Sequence, residues 1–375
     1  MKKFLVVLAA FFLIIACSKN DDGTPTQEQE EDEIAFNREA MLINWADNII
    51  VPGYEELESS TTALTWVVTD FIDEPTESNL FALRLQWMDT YRSFQKVSLF
   101  EIGKAEEVRF RDRMNTYPTN ATEIQDLIAN GTYDFSLPST NDAQGFPALD
   151  YLLNGLGEDD SEIVSFYQGA NGVAYKNYLE SVSSSIKALT TQVLDDWNNG
   201  FRDDFVANSS SSASASVDKL TNDYVFYYEK SLRAGKVGIP AGVFSNNPLP
   251  GNVEGFYSET FSRTLALDAL NAAEGFFRGR AHNCINCYDE SFETYLDYLN
   301  TIKNGEDLSD LIIAQFEVSK NKMLELQPSF IEQIEMNNSA MLQTYDELQR
   351  NVILLKVDMM QALSINIDYV DADGD

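Results

Sequence analysis

The spacing of the large apolar residues confines this chain to helices. Leu80, Leu83, Trp87, Tyr91 and Phe94 step by three and four residues, as do Tyr175, Tyr178, Val182, Ile186, Leu189 and Val193. Val217, Leu220, Tyr224, Tyr227 and Leu232 form a third stripe. Leu342, Tyr345, Leu348, Val352, Leu355, Met359 and Leu363 form the longest, about six turns at roughly 3.6 residues each. Residues three or four apart share one helix face, so each stripe marks a face turned to a core. Strand-like alternation is scarce, and the expected fold class is all-α. Further helices are expected over 35–50, 54–72, 106–115, 121–129, 258–278, 289–302 and 307–335, the last broken near Pro328.

Breaks are expected at Pro52-Gly53, across 73–76 and through the polar stretch 116–144. The serine run from Ser209 to Ser216 is the candidate boundary between an N-terminal helical domain, 34–208, and a C-terminal helical bundle, 209–375. Two helical bundles side by side is the simplest arrangement, and 375 residues that are 44% hydrophobic suffice to fill both. With Pro240, Pro248 and Pro250 inside it, Gly235 to Gly251 is expected as a long loop. Loops of that length are often functional.

The N-terminus carries an export signal. Met1-Lys2-Lys3 precedes an apolar run from Phe4 to Ala16. A membrane-spanning helix needs about 20 residues, so this run fits a signal peptide over 1–16. It ends Ile14-Ile15-Ala16-Cys17, which resembles a lipobox with Cys17 as the lipidated residue. Residues 17–33, rich in acidic and amide side chains, are expected to be a disordered tether. Lys19 followed by Asp21 and Asp22 resembles a surface-export signal of bacterial lipoproteins. The expected location is the outer membrane, on its periplasmic or cell-surface face, with the membrane as partner through the lipid. A formal charge of −34 repels nucleic acid and anionic headgroups, so no nucleic-acid partner is expected.

His282 is the single histidine. H-E-x-x-H cannot be assembled from it, and no G-x-S-x-G supports a serine nucleophile. Cys284 and Cys287 make C-x-x-C, but Tyr288 stands where covalent haem attachment needs His. Outside the cytoplasm a disulfide pinning the loop is expected; a metal pair with His282 and a redox pair are the alternatives. Asp371-Ala372-Asp373-Gly374-Asp375 begins like a calcium loop but lacks the closing Glu, and is read as a solvated acidic tail.

The run Gly145-Phe146-Pro147-Ala148-Leu149-Asp150-Tyr151-Leu152-Leu153 resembles the G-x-H-x-x-E signature of the imelysin family, peptidase M75. That family groups insulin-cleaving metalloproteinases with lipoproteins like iron-regulated protein A. Pro52-Gly53-Tyr54, the Trp87 to Tyr91 helix leading to Phe100-Glu101-Ile102-Gly103, Arg233-Ala234-Gly235-Lys236 and Val253-Glu254-Gly255-Phe256-Tyr257-Ser258 follow in family order. The resemblance implies two helical-bundle domains with a site between them. It nominates Gly145, Pro147, Asp150, Arg233, Lys236, Glu254 and Ser258 as ligand-binding candidates, with Asp150 and Glu254 as the metal candidates. An iron or calcium ion is the cofactor candidate, and a small ligand, metal ion or haem the implied partner.

Pro147 replaces the signature His and Asp150 its Glu. A His-plus-Glu metal or acid–base pair therefore cannot form. The expected function is non-enzymatic ligand binding linked to iron or haem acquisition, against the peptidase label of the family. An M75-type metallopeptidase and a glycan-binding lipoprotein are the alternatives.

Overall fold

A computed structural model describes residues 35–369. The expected signal peptide, Cys17, the expected tether and the Asp371 to Asp375 segment lie outside the described residues. From Phe36 to Tyr369 the chain packs as one compact unit.

The chain enters through α1 (Arg38–Ile43), capped by Asn37, whose side-chain oxygen accepts the Ala40 N–H at 3.0 Å. Wide π-type turns, Asn44–Ile50, carry it without interruption into α2 (Val51–Asp73). The break expected at Pro52 is therefore absent. A proline here withholds the N–H that the Asn48 carbonyl would receive in a regular helix. That carbonyl instead accepts the backbone N–H of His282 at 2.7 Å.

Thr76 caps α3 (Glu77–Gln95), whose whole apolar stripe is buried. The single helix expected over 106–115 is two, α4 (Lys104–Val108) and α5 (Phe110–Asn115), because Arg109 turns left-handed between them at φ 54°. After α6 (Ala121–Asn130) come α7 (Gly145–Asn154) and α8 (Asp160–Gln168), then α9 (Gly172–Asp196) with the second stripe buried, and α10 (Arg202–Ala207).

The serine run lies on the largely exposed loop before α11 (Ser216–Phe226). Helix α11 continues through π-type turns, Tyr227–Gly238, into α12 (Ile239–Ala241). The irregular stretch expected from Gly235 thus begins only at Gly242, whose φ of +82° ends the helix. Gly238 stays helical because it is a contact point: a Cβ there would lie 2.7 Å from the Tyr345 ring. Past the loop follow α13 (Ser262–Phe277), α14 (Phe292–Tyr298), α15 (Leu308–Leu324) and α16 (Phe330–Ile353). Helix α16 runs on through Leu354–Met359 into α17 (Met360–Ala362). Among the described residues the only strands are Ile302–Lys303 and Glu306–Asp307, a two-residue antiparallel pair.

Leu342, expected in the longest stripe, is 38% exposed. Met341 and Thr344 take the buried positions instead, since the stripe through Leu348 and Val352 projects back onto 341 and 344/345 at 3.6 residues per turn. Helix α2 packs on α3 and α9, while α15 packs on α13 and α16, and α16 on Tyr227–Gly238. Helix α13 lies against α3 and joins the two groups. Each fully buried Leu, Phe or Val on these faces contributes about 1.5–3 kcal/mol.

Candidate functional site

Where α3, α5 and the Tyr227–Gly238 turns meet the loop after α12, the structure buries a lysine and a glutamate together. Lys236, 3% exposed, donates to Glu254 Oε2 and, at 2.9 Å, to Gln95 Oε1. Glu254, 2% exposed, accepts at its other oxygen from Tyr91 Oη at 3.0 Å, Gln95 Nε2 at 3.1 Å and Asn115 Nδ2 at 2.7 Å. Burial pulls the Lys236 ammonium below its ordinary pKa, against the opposing pull of Glu254. Burial also pushes the Tyr91 hydroxyl well up, and the Glu254 charge adds to it. The network draws Tyr91, Gln95 and Asn115 from one side of the serine run and Lys236 and Glu254 from the other.

Lys236 and Asn115 open onto a cavity of about 240 Å³. Tyr117, Tyr227, Ser98, Arg111 and the carboxylate of Asp112 also line it. Ser98 Oγ donates to Tyr227 Oη at 2.8 Å. Arg111 is fixed by the Ser98 carbonyl at 2.7 Å and by Asp223 at 2.9 and 3.2 Å. Glu101 accepts the Arg111 backbone N–H at 2.8 Å, and burial pushes its carboxyl up to about 7.

Asp150 belongs to a separate set. Its Oδ1 accepts from Asn154 Nδ2 at 3.0 Å and its Oδ2 from the Tyr257 backbone N–H at 2.8 Å, with Ser258 also donating. Burial pushes this carboxyl up to about 7 despite those donors. Asp150 thus ties α7 to the loop that carries Glu254, and Ser258 closes that loop through the Gly255 carbonyl at 3.0 Å. Gly145 starts α7 at φ +74°, where a Cβ would lie 2.3 Å from the Met114 carbonyl oxygen. Pro147 is buried in the first turn of α7. Arg233 stands in a third group, donating to Tyr345 Oη at 2.5 Å and to Gln349, with Glu229 at 3.7 Å. The seven residues that the resemblance nominates divide among three networks.

An iron or calcium ion does not fit this donor set. Both oxygens of Glu254 and both of Asp150 accept hydrogen bonds, and the Lys236 ammonium sits against Glu254 where a cation would have to bind. Among the described residues no three His, Cys, Asp or Glu side chains are grouped to hold a metal. The expectation of Asp150 and Glu254 as metal ligands is corrected accordingly: their lone pairs serve N–H and O–H donors. Tyr91, Gln95, Asn115, Tyr117 and Tyr227 were not nominated by the sequence. The available signal was polar residues set into apolar stretches, such as Gln95 and Ser98 between Phe94 and Phe100.

His282 lies elsewhere, its Nε2 2.5 Å from Glu56 Oε2, and Cys284 and Cys287 are joined as a disulfide in the same loop.

These features define an all-α protein of two helix groups with a buried polar network where they meet. The family model described as Imelysin, peptidase M75, matches residues 50–349, and the chain belongs to that family. No curated protein matches the sequence. A crystal structure of an iron-regulated protein A precursor from Parabacteroides distasonis is similar in fold, with a TM-score of 0.69 at 15% identity over 86% of this chain and 95% of that one. An imelysin-like protein from Psychrobacter arcticum gives 0.67 at 15% identity over 88% and 97%.

Proposed function

We propose that this imelysin is a non-enzymatic binding lipoprotein, held at the outer membrane through Cys17, which takes a small oxygen-rich anion in the cavity beside Lys236. The observation that carries the reading is the Lys236–Glu254 pair. A lysine paired with a buried carboxylate lines a 240 Å³ space together with the Arg111 guanidinium and the Asn115 amide, beside one lining carboxylate, Asp112, that Arg109 holds at 2.7 Å. Donors of this kind recognise carboxylate or phosphate oxygens. A link to iron acquisition then runs through an anionic ferric chelate rather than a bare ion. The metallopeptidase reading needs ligand lone pairs that this site has already committed.

Calorimetry on the purified protein with citrate, ferric citrate, phosphate, haem and calcium tests the proposal. Citrate or its ferric complex is expected to bind, calcium is not, and Lys236→Gln should weaken binding at least about tenfold, the loss of roughly one charge-assisted hydrogen bond. Binding of calcium alone, or of none of these anions, would refute it. Cys17→Ala should move the protein from the membrane fraction to the soluble one.

A further inference from the structure

We infer that a second, separate groove binds an organic carboxylate with an apolar body. The groove is built by the loop after α13. Arg280 and Tyr288 pair across the base of that loop, the Ala281 N–H donates to the Cys287 carbonyl at 2.8 Å, and the Cys284–Cys287 disulfide closes its tip. His282 fastens the loop twice, through its backbone N–H on Asn48 in the turns before α2 and its ring on Glu56 in α2. Glu56 also holds Lys96 at 2.6 Å, so Lys96, Arg280 and His282 line one space of about 400 Å³. That lies within the range of roughly 300–1,000 Å³ usual for small-molecule sites.

The chemistry of the walls selects the ligand. In a chain of charge −34, this groove holds two lining cations: Lys96 is already paired with Glu56 at 2.6 Å, and the lining carboxylate Asp268 is held by Arg92 at 2.7 and 3.3 Å, which leaves Arg280. Arg280 has no carboxylate partner among the described residues. Its guanidinium donates from Nη2 to the Asn271 carbonyl at 3.1 Å, leaving the remaining N–H groups of its fork for a ligand. Gly275 makes room for it, since a Cβ there would lie 2.8 Å from Nη2. A planar fork with free donors matches a carboxylate in two-point contact. Phe100 and Phe276 are buried behind the floor of the groove, so its apolar surface comes from the half-buried Ala272 and from Ile285, 80% exposed, at the lip. The ligand therefore carries its anion at Arg280 and rests a hydrocarbon body against Ala272 and Ile285.

The test compares 3-phenylpropionate with its neutral amide by calorimetry on the purified protein. The acid is expected to bind at least tenfold more tightly than the amide. Arg280→Gln should abolish that difference, and Arg280→Lys should keep only part of it. Ile285→Glu, at a position 80% exposed, should weaken the acid at least tenfold by placing a negative charge at the lip. Equal binding of acid and amide, no binding of either, or an unaltered affinity in Ile285→Glu overturns the proposal.

Discussion

The Lys236–Glu254 pair, buried on both sides, is costly to break. Two charges removed from water are tolerated only while each compensates the other and the remaining lone pairs are filled. Here Tyr91, Gln95 and Asn115 fill them. Lys236→Met or Glu254→Gln alone should each lose about 3–5 kcal/mol of stability, because one buried charge is left without its partner. The double variant should lose clearly less than the sum. Urea denaturation of the three variants measures this, and strictly additive losses would show that the charges do not compensate. Gly145 makes the steric counterpart. Gly145→Ala forces a left-handed φ on a side chain that meets the Met114 carbonyl, and should cost about 1–3 kcal/mol in the same assay. Gly145, Lys236 and Glu254 could be singled out from the sequence because they sit in short family segments. Gln95 and Asn115 could not, because each finds its partner 159 and 139 residues further along the chain. Nothing in local spacing tells a polar residue which distant carboxylate it will meet.

At the scale of elements, helix identity was written in the stripes and helix ends were written in caps. The stripes on α3 and α9 are buried throughout because periodicity and core face are the same property. What periodicity did not reveal was how π-type turns bridge Pro52 and carry the Tyr227 segment past Gly235 and Gly238. Those outcomes depend on contacts supplied by His282 and Tyr345 from remote parts of the chain. Helix α14 shows the local rule acting alone. Ser291 accepts the Thr294 N–H at 3.3 Å while Thr294 Oγ1 accepts the Ser291 N–H at 2.8 Å, a reciprocal cap. Ser291 is fully buried, so no water replaces the lost acceptor. Ser291→Ala should cost about 0.5–2 kcal/mol, read as a lower thermal midpoint. An unchanged midpoint would mean that packing of Phe292 and Tyr295 holds the helix by itself.

Across the whole molecule, buried carboxyls set how stability responds to pH, and they pull in two directions. Glu56 is held well below its ordinary pKa, chiefly by the His282 hydrogen bond and further by Lys96 and Asn283. A depressed carboxyl stabilises the fold above its unfolded value, near 4.5, and that contribution disappears as acid protonates it. Asp150 and Glu101 act oppositely. Burial raises both to about 7, so between about 4 and 7 the folded chain keeps protons that the unfolded chain releases. Stability from these two falls as pH rises through that window, and the growing repulsion of a chain at −34 adds to the fall. The thermal midpoint should therefore peak near pH 5 and decline toward pH 8. Glu101→Gln, which keeps an oxygen to accept the Arg111 N–H but cannot lose a proton, should flatten the decline between pH 5 and 7. Thermal unfolding across pH 4 to 8 on both proteins reads the two slopes. A midpoint that rises steadily from pH 5 to 8 in the parent protein would mean that Asp150 and Glu101 are ionised in the fold and that their hydrogen-bond donors outweigh burial.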